Sequence, residues 1–95
     1  MRRPVVVISA DSFNRSSLRT VTVAVLTTNS HLGSLPGNVT VPAGTGGLES
    51  ESVVNVTQIA TVDRSVLEEQ LGEIPDWLLA QLDAGLMRAL GLVAR

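Results

Sequence analysis

The chain has 95 residues, 44% of them hydrophobic and 17% charged, with no cysteine. That is enough for one compact domain, and it excludes disulfide scaffolds, cysteine-held zinc and thiol nucleophiles. A chain this short buries only roughly 60–65% of its unfolded surface, so extra burial in a homodimer is expected.

The net charge of −2 argues against a nucleic-acid binder, but its distribution does not. From Met1 to Gly47, Arg2, Arg3, Arg15 and Arg19 oppose Asp11 alone, whereas the remainder carries an acidic excess through Glu49, Glu51, Asp63, Glu68, Glu69, Glu73, Asp76 and Asp83. Every basic residue is Arg, which favours planar two-point contacts to phosphate over point charges; a coding bias toward Arg explains the same fact. Met1-Arg2-Arg3 followed by Val5 to Ile8 is too short and too soon interrupted by Ser9 and Asp11 to be a secretory signal. No other stretch has the apolar length of a membrane span, so the reading is cytoplasmic.

In chain order, Pro4 to Ser9 is a continuous β-branched run, the pattern of a strand buried on both faces. Asp11 to Ser17 forms a polar or short helical turn. In Thr20 to Thr27, Val21, Val23 and Val25 alternate with Thr20, Thr22 and Ala24, which predicts a strand with one core face. Thr28 to Gly37 is rich in Asn, Ser, Gly and Pro and reads as an exposed loop. Asn38 to Val41 is a short strand ended by Pro42. Gly44-Thr45-Gly46-Gly47 lacks the lysine and the following helix of a phosphate loop and reads as a hairpin connection.

Ser52 to Val56 and Gln58 to Val62 predict one bent strand or two short ones, with Asp63 capping a turn that starts at Arg64. Leu67 to Ile74 suits strand or helix by propensity, and a strand over Glu68 to Glu73 is expected. Pro75 and Asp76 open a last helix, on which Leu78, Leu82, Leu86 and Leu90 recur every four residues beside Leu79, and Gly91 lies near its end. That stripe is core or dimer packing. The elements predict an α+β fold: a small, strongly curved antiparallel sheet or partly open β-barrel closed by a C-terminal helix.

Several segments then carry a family resemblance. Arg3-Pro-Val-Val-Val-Ile-Ser9, Val25-Leu-Thr-Thr28, Leu35-Pro-Gly-Asn-Val39, Gly47-Leu-Glu-Ser-Glu-Ser-Val-Val54 and Gln58-Ile-Ala-Thr-Val-Asp-Arg64 resemble, in order and spacing, the MazF/PemK family of toxin endoribonucleases. Leu71-Gly72 and Ala89-Leu-Gly-Leu92 fit too, so the resemblance spans nearly the whole chain.

The resemblance implies a dimeric SH3-like barrel, restrained by a cognate antitoxin, that cleaves single-stranded RNA without metal or cofactor through a 2′,3′-cyclic phosphate. Such chemistry needs a group that steers or deprotonates the 2′-hydroxyl and a donor for the charged phosphorane. Arg3 matches the arginine used on the scissile phosphate. Thr27 matches a threonine that positions phosphate or hydroxyl; too weak a base to take a proton, it is assigned orientation. His31, the sole histidine, is a further acid–base candidate because imidazole titrates near neutrality. Thr28, Asn29, Ser52, Asn55 and Gln58 are candidate RNA contacts.

Taken without the resemblance, Arg3 is an ordinary terminal charge, Thr27 a strand-end threonine and His31 a loop histidine. Asp63 enters family chemistry in one reading and only caps its turn in the other. One His and scattered carboxylates show no metal-ligand spacing. Phe13 and Trp77 are the only aromatic residues, so an aromatic base-stacking platform is excluded.

The alternative function is a catalytically weak or inactive member that binds an antitoxin or, like CcdB, a topoisomerase. The ending Leu92 to Arg95 lacks the Trp-Gly-Ile type of terminus which that last reading wants. Family members also begin with a further strand and a mobile loop that closes over RNA. This sequence starts at the arginine after that loop: either the gene product starts further upstream, or this is a shortened member, for which weak cleavage and a more open site are expected.

Overall fold

The structure, a computed structural model, describes residues 3–92. The readings of Met1, Arg2 and the Val93 to Arg95 ending lie outside the described residues.

Strands β1 (Val5–Val7), β2 (Thr20–Thr27), β3 (Val39–Val41) and β4 (Ser52–Asp63) form one antiparallel sheet in the order β1-β2-β4-β3. A single helical turn, α1 (Asp11–Asn14), joins β1 to β2, and helix α2 (Asp76–Ala89) closes the chain. Short 3-10 turns occupy Ser30–Ser34, Thr45–Gly47 and Arg64–Val66.

The sheet curls because β2 and β4 fall out of step. Ala24 pairs with Ile59 but Val25 pairs with Asn55, which leaves Val56, Thr57 and Gln58 without β2 partners. Such a bulge sharpens local twist and bends the strand. Side chains satisfy the freed backbone: Asn38 Oδ1 accepts the Val56 N–H at 3.0 Å, and Asn55 Oδ1 accepts the Thr57 N–H at 3.3 Å. Of the two readings of Ser52 to Val62, one bent strand or two short ones, the structure has the first, as β4.

Helix α2 lies on the face of the sheet made by Val6, Ala24, Leu26, Val39, Val41, Val54 and Val56, into which it sends Leu78 and Leu82. Leu86 is partly buried there, while Leu79 and Leu90 of the predicted stripe are exposed. Small, stiff valines suit this core because β-branched side chains fill a pleated surface at little rotamer cost. Pro75 sits at the N-cap, and the Leu92 N–H returns to the Met87 carbonyl at 2.8 Å to end the helix.

Gly85 is buried on α2 because the carbonyl of Gly37 occupies the space a Cβ would need. This backbone-to-backbone contact brings the loop before β3 directly onto the helix.

Four expectations need correction. The run around β1 is not buried on both faces: β1 is an edge strand, and Val7 is 42% exposed beside buried Val6. Strand β2 has two buried faces rather than one: Val21 and Val23 are buried on one face, and Ala24 and Leu26 on the other, in the core under α2. The Thr28 to Gly37 loop contains an ordered 3-10 turn.

The strand expected over Glu68 to Glu73 is absent, and residues 67–75 follow no regular structure. This segment crosses the 3-10 turn after β3 instead of lying along a strand; a Cβ on Gly72 would fall 2.5 Å from the Gly46 carbonyl carbon. Strand propensity there meets no sheet edge to pair with.

Candidate active site at the β1–β2 end

The register of β1 and β2 pairs Val5 with Val25, and the Leu26 N–H extends the ladder by donating to the Pro4 carbonyl at 3.2 Å. One further step places Arg3 opposite Thr27, whose partner on the other side is Val53 of β4. Directly opposed residues of antiparallel strands share a face. Arg3, Thr27 and Val53 thus form a row across three strands, on the face away from α2.

The Ser30–Ser34 turn covers the β4 end of that row. A Cβ on Gly33 would lie 3.6 Å from Val53 Cγ2 and 3.1 Å from Thr40 Oγ1, both on this face. Two local hydrogen bonds lead from β2 into the turn. Thr27 Oγ1 accepts the Asn29 N–H at 3.1 Å, and Asn29 Oδ1 accepts the His31 N–H at 3.1 Å. The His31 carbonyl accepts Ser34 Oγ at 3.0 Å. Thr27, Asn29 and the His31 backbone are therefore linked in series where β2 ends, the end toward which the β1 register carries Arg3, and Arg3 and His31 are exposed to solvent.

The remaining candidates separate by strand alternation and burial. Thr28 and Ser52 line a different, open cleft of about 260 Å³ together with Pro4, Leu48, Glu49 and Leu71. The expectation that Ser52 and Asn55 present themselves to RNA is not met: they are 4% and 7% exposed. Ser52 Oγ donates to the Ser50 carbonyl at 3.0 Å, and Asn55 Nδ2 donates to Gln58 Oε1 at 2.9 Å. Both are held inside the fold because Ser52 opposes Val41 on the core face and Asn55 closes the bulge. Gln58 is exposed on that bulge.

At the opposite end of β2, Asp63 caps the Arg64–Val66 turn by accepting the Ser65 N–H at 2.9 Å, as the sequence predicts. That bond, with a further one from the Ser65 side chain, holds the Asp63 carboxyl below its ordinary pKa despite opposing desolvation. Arg64 is a structural staple rather than a phosphate ligand: its Nε donates to the Leu18 carbonyl at 2.6 Å and Nη2 reaches the Phe13 carbonyl at 3.3 Å. Asp63 and Arg64 lie a full strand length from Thr27, so the structure favours the capping reading of Asp63. Among the described residues no three His, Cys, Asp or Glu side chains are grouped to hold a metal ion.

Sequence reading missed Asn38, whose two amide arms join the Ser30–Ser34 turn to the bulge of β4. An Asn after Pro36-Gly37 reads as ordinary turn chemistry, and the bulge that requires it is invisible in the sequence.

Residues 1–90 match the PemK-like, MazF-like toxin of type II toxin–antitoxin systems. The endoribonuclease MazF6 of Mycobacterium tuberculosis is 48% identical over 91 residues, covering 96% of this chain and 80% of that protein. Among solved structures, a mycobacterial endoribonuclease in complex with its cognate antitoxin superposes with a TM-score of 0.84 at 25% identity, over 98% of this chain and 84% of that one. A MazE–MazF structure from Deinococcus radiodurans gives a TM-score of 0.77 at 30% identity, over 97% of this chain and 88% of that one. The curled half-barrel with its C-terminal helix is the architecture these structures share with the present chain.

Proposed function

We propose, from the premise that the chain belongs to the PemK-like, MazF-like toxin family of type II toxin–antitoxin systems, that it is an endoribonuclease working at the Arg3–Thr27 row. What supports this reading is the β1–β2 register, which runs through the bond from the Leu26 N–H to the Pro4 carbonyl and, carried one residue further, sets Arg3 opposite Thr27, with the His31 turn tied to Thr27 through Asn29.

The chemistry follows from what each group has left to offer. The guanidinium of Arg3 presents a fork of donors to the non-bridging oxygens of a phosphodiester, where charge grows in the phosphorane. Thr27 Oγ1 already accepts a backbone N–H, so its own proton is free to donate to a phosphate oxygen and fix the substrate. His31 takes the proton of the 2′-hydroxyl. The 2′-oxygen then bonds to phosphorus and the P–O5′ bond breaks. O5′ leaves with a proton from solvent water, giving a 2′,3′-cyclic phosphate and a 5′-hydroxyl. No metal ion enters this scheme. Asn29 through its Nδ2, Thr28 from the neighbouring cleft and Gln58 from the bulge supply polar contacts to the RNA strand.

The antitoxin complexes of relatives support a cognate antitoxin as partner, one that brings an apolar, acidic segment onto the Arg-bearing face. The unpartnered apolar residues of α2 support a two-fold dimer. Among the described residues no helix is long and apolar enough to cross a membrane, and the family reading places the toxin in the cytoplasm.

The test is incubation of the purified chain with a long single-stranded RNA and mapping of the cut ends. Discrete cuts are expected. RNA left whole by a chain that still binds an antitoxin would favour the pure binding role.

A further inference from the structure

We propose that Asn38 is a positioning residue for the reaction, holding the Ser30–Ser34 turn, and with it His31, against the bulge of β4. The inference rests on the reading of His31 and Thr27 as reacting groups.

The turn is fastened by two asparagines. At its start, Asn29 Oδ1 accepts the His31 N–H. At its middle, Asn38 Nδ2 donates to the Leu32 carbonyl at 2.9 Å, one residue beyond His31. The other arm of Asn38 reaches the sheet, where Oδ1 accepts the Val56 N–H at 3.0 Å. Val56 is one of the bulge residues without a β2 partner and is 1% exposed, so water cannot take over that bond.

A single amide therefore spans the turn that carries His31 and the bulge that carries Gln58. Both arms are in use and their chemistry is distinct: the oxygen serves the bulge, the nitrogen serves the turn. The base of Asn38 is fixed as well. Its backbone N–H donates to the Leu35 carbonyl at 3.1 Å, and the preceding Gly37 is pressed against Gly85 of α2. Helix, bulge and turn thus meet at residues 37 and 38, and side-chain placement at the reacting end depends on that junction.

Asn38→Asp keeps the oxygen that serves Val56 and removes the donor to Leu32; Asn38→Ala removes both. His31 is the only histidine, so its imidazole gives a single assignable pair of ring-proton NMR signals. Val21→Ala, in the buried part of β2 remote from the turn, controls for loss of stability alone. Both Asn38 variants are expected to move the His31 signals, while Val21→Ala leaves them in place. With RNA as substrate, kcat is expected to fall on the order of tenfold to a hundredfold with a smaller change in KM, because misplacement acts on the chemical step.

Parental His31 signals in both Asn38 variants would overturn the proposal, as would an equal displacement in Val21→Ala. The NMR readout needs no cleavage. A parental chain that leaves RNA intact while Asn38 variants still move His31 would overturn the nuclease reading and retain the clamp.

Discussion

The Leu26 N–H donates to the Pro4 carbonyl at 3.2 Å, and the β1–β2 register carried one residue further sets Arg3 opposite Thr27. Their side chains share a face, so a guanidinium and a hydroxyl can address the same phosphate. Arg3→Ala is expected to lower kcat/KM by about 10²–10³-fold, the usual effect of removing one strong donor from a developing anion. Arg3→Lys restores charge but not the fork and recovers only part of this. Thr27→Ala should cost on the order of 10²-fold, and Thr27→Ser should retain most activity because the hydroxyl remains. Melting temperatures of all four should stay near the parental value. Parental rates for both alanine variants would show that the site is misassigned.

Gly85 has no room for a side chain, because a Cβ there collides with the Gly37 carbonyl, which belongs to backbone rather than to a flexible side chain. Gly85→Ala is expected to destabilise the fold by about 3 kcal/mol, the upper part of the range for overpacking a tight contact. Denaturant titration measures this directly, and an unchanged midpoint would mean that α2 sits further from the loop before β3.

The architecture was legible wherever hydrophobic period and burial agree. The strand over Thr20 to Thr27 and the burial of Leu78 and Leu82 on α2 follow from pattern alone, because each buries a face whose spacing the sequence must keep. What failed depends on neighbours that no local pattern encodes. Val7 is exposed because β1 lies at an edge, and Glu68 to Glu73 does not pair because the chain crosses a glycine turn there. At the candidate site, Arg3, Thr27 and His31 are named by the family resemblance alone, and only the direction of Arg3 toward Thr27 follows from register. The burial of Asn55 and the role of Asn38 were not legible, since both answer to a bulge created by pairing between distant segments.

Asp63 ties stability to pH with a definite sign. Ser65 lowers its carboxyl pKa in the folded chain, so the contribution is present at neutral pH and is lost as pH falls through the carboxylate range. The melting temperature of Asp63→Ala should lie below the parental one at pH 7, and the gap should narrow toward pH 3. A gap that stays constant over this range would show that the charge on Asp63 is not what stabilises the turn.

Helix α2 leaves Trp77, Leu79, Met87 and Leu90 exposed although it is packed on the sheet through Leu78 and Leu82. Burial of these side chains against a second copy is expected, so light scattering at micromolar concentration should return twice the chain mass. Leu79→Glu combined with Leu90→Glu should shift the species toward monomer. A parental monomer under these conditions contradicts the dimer.

The central claim, that this chain cuts RNA by 2′-hydroxyl attack at the Arg3–Thr27 row, is tested most directly by the end groups of RNA cut in the presence of EDTA. The account predicts fragments bearing 2′,3′-cyclic phosphate and 5′-hydroxyl ends, formed at the same rate with and without the chelator. Fragments with 3′-hydroxyl and 5′-phosphate ends, or cleavage that stops in EDTA and returns with magnesium, would contradict it.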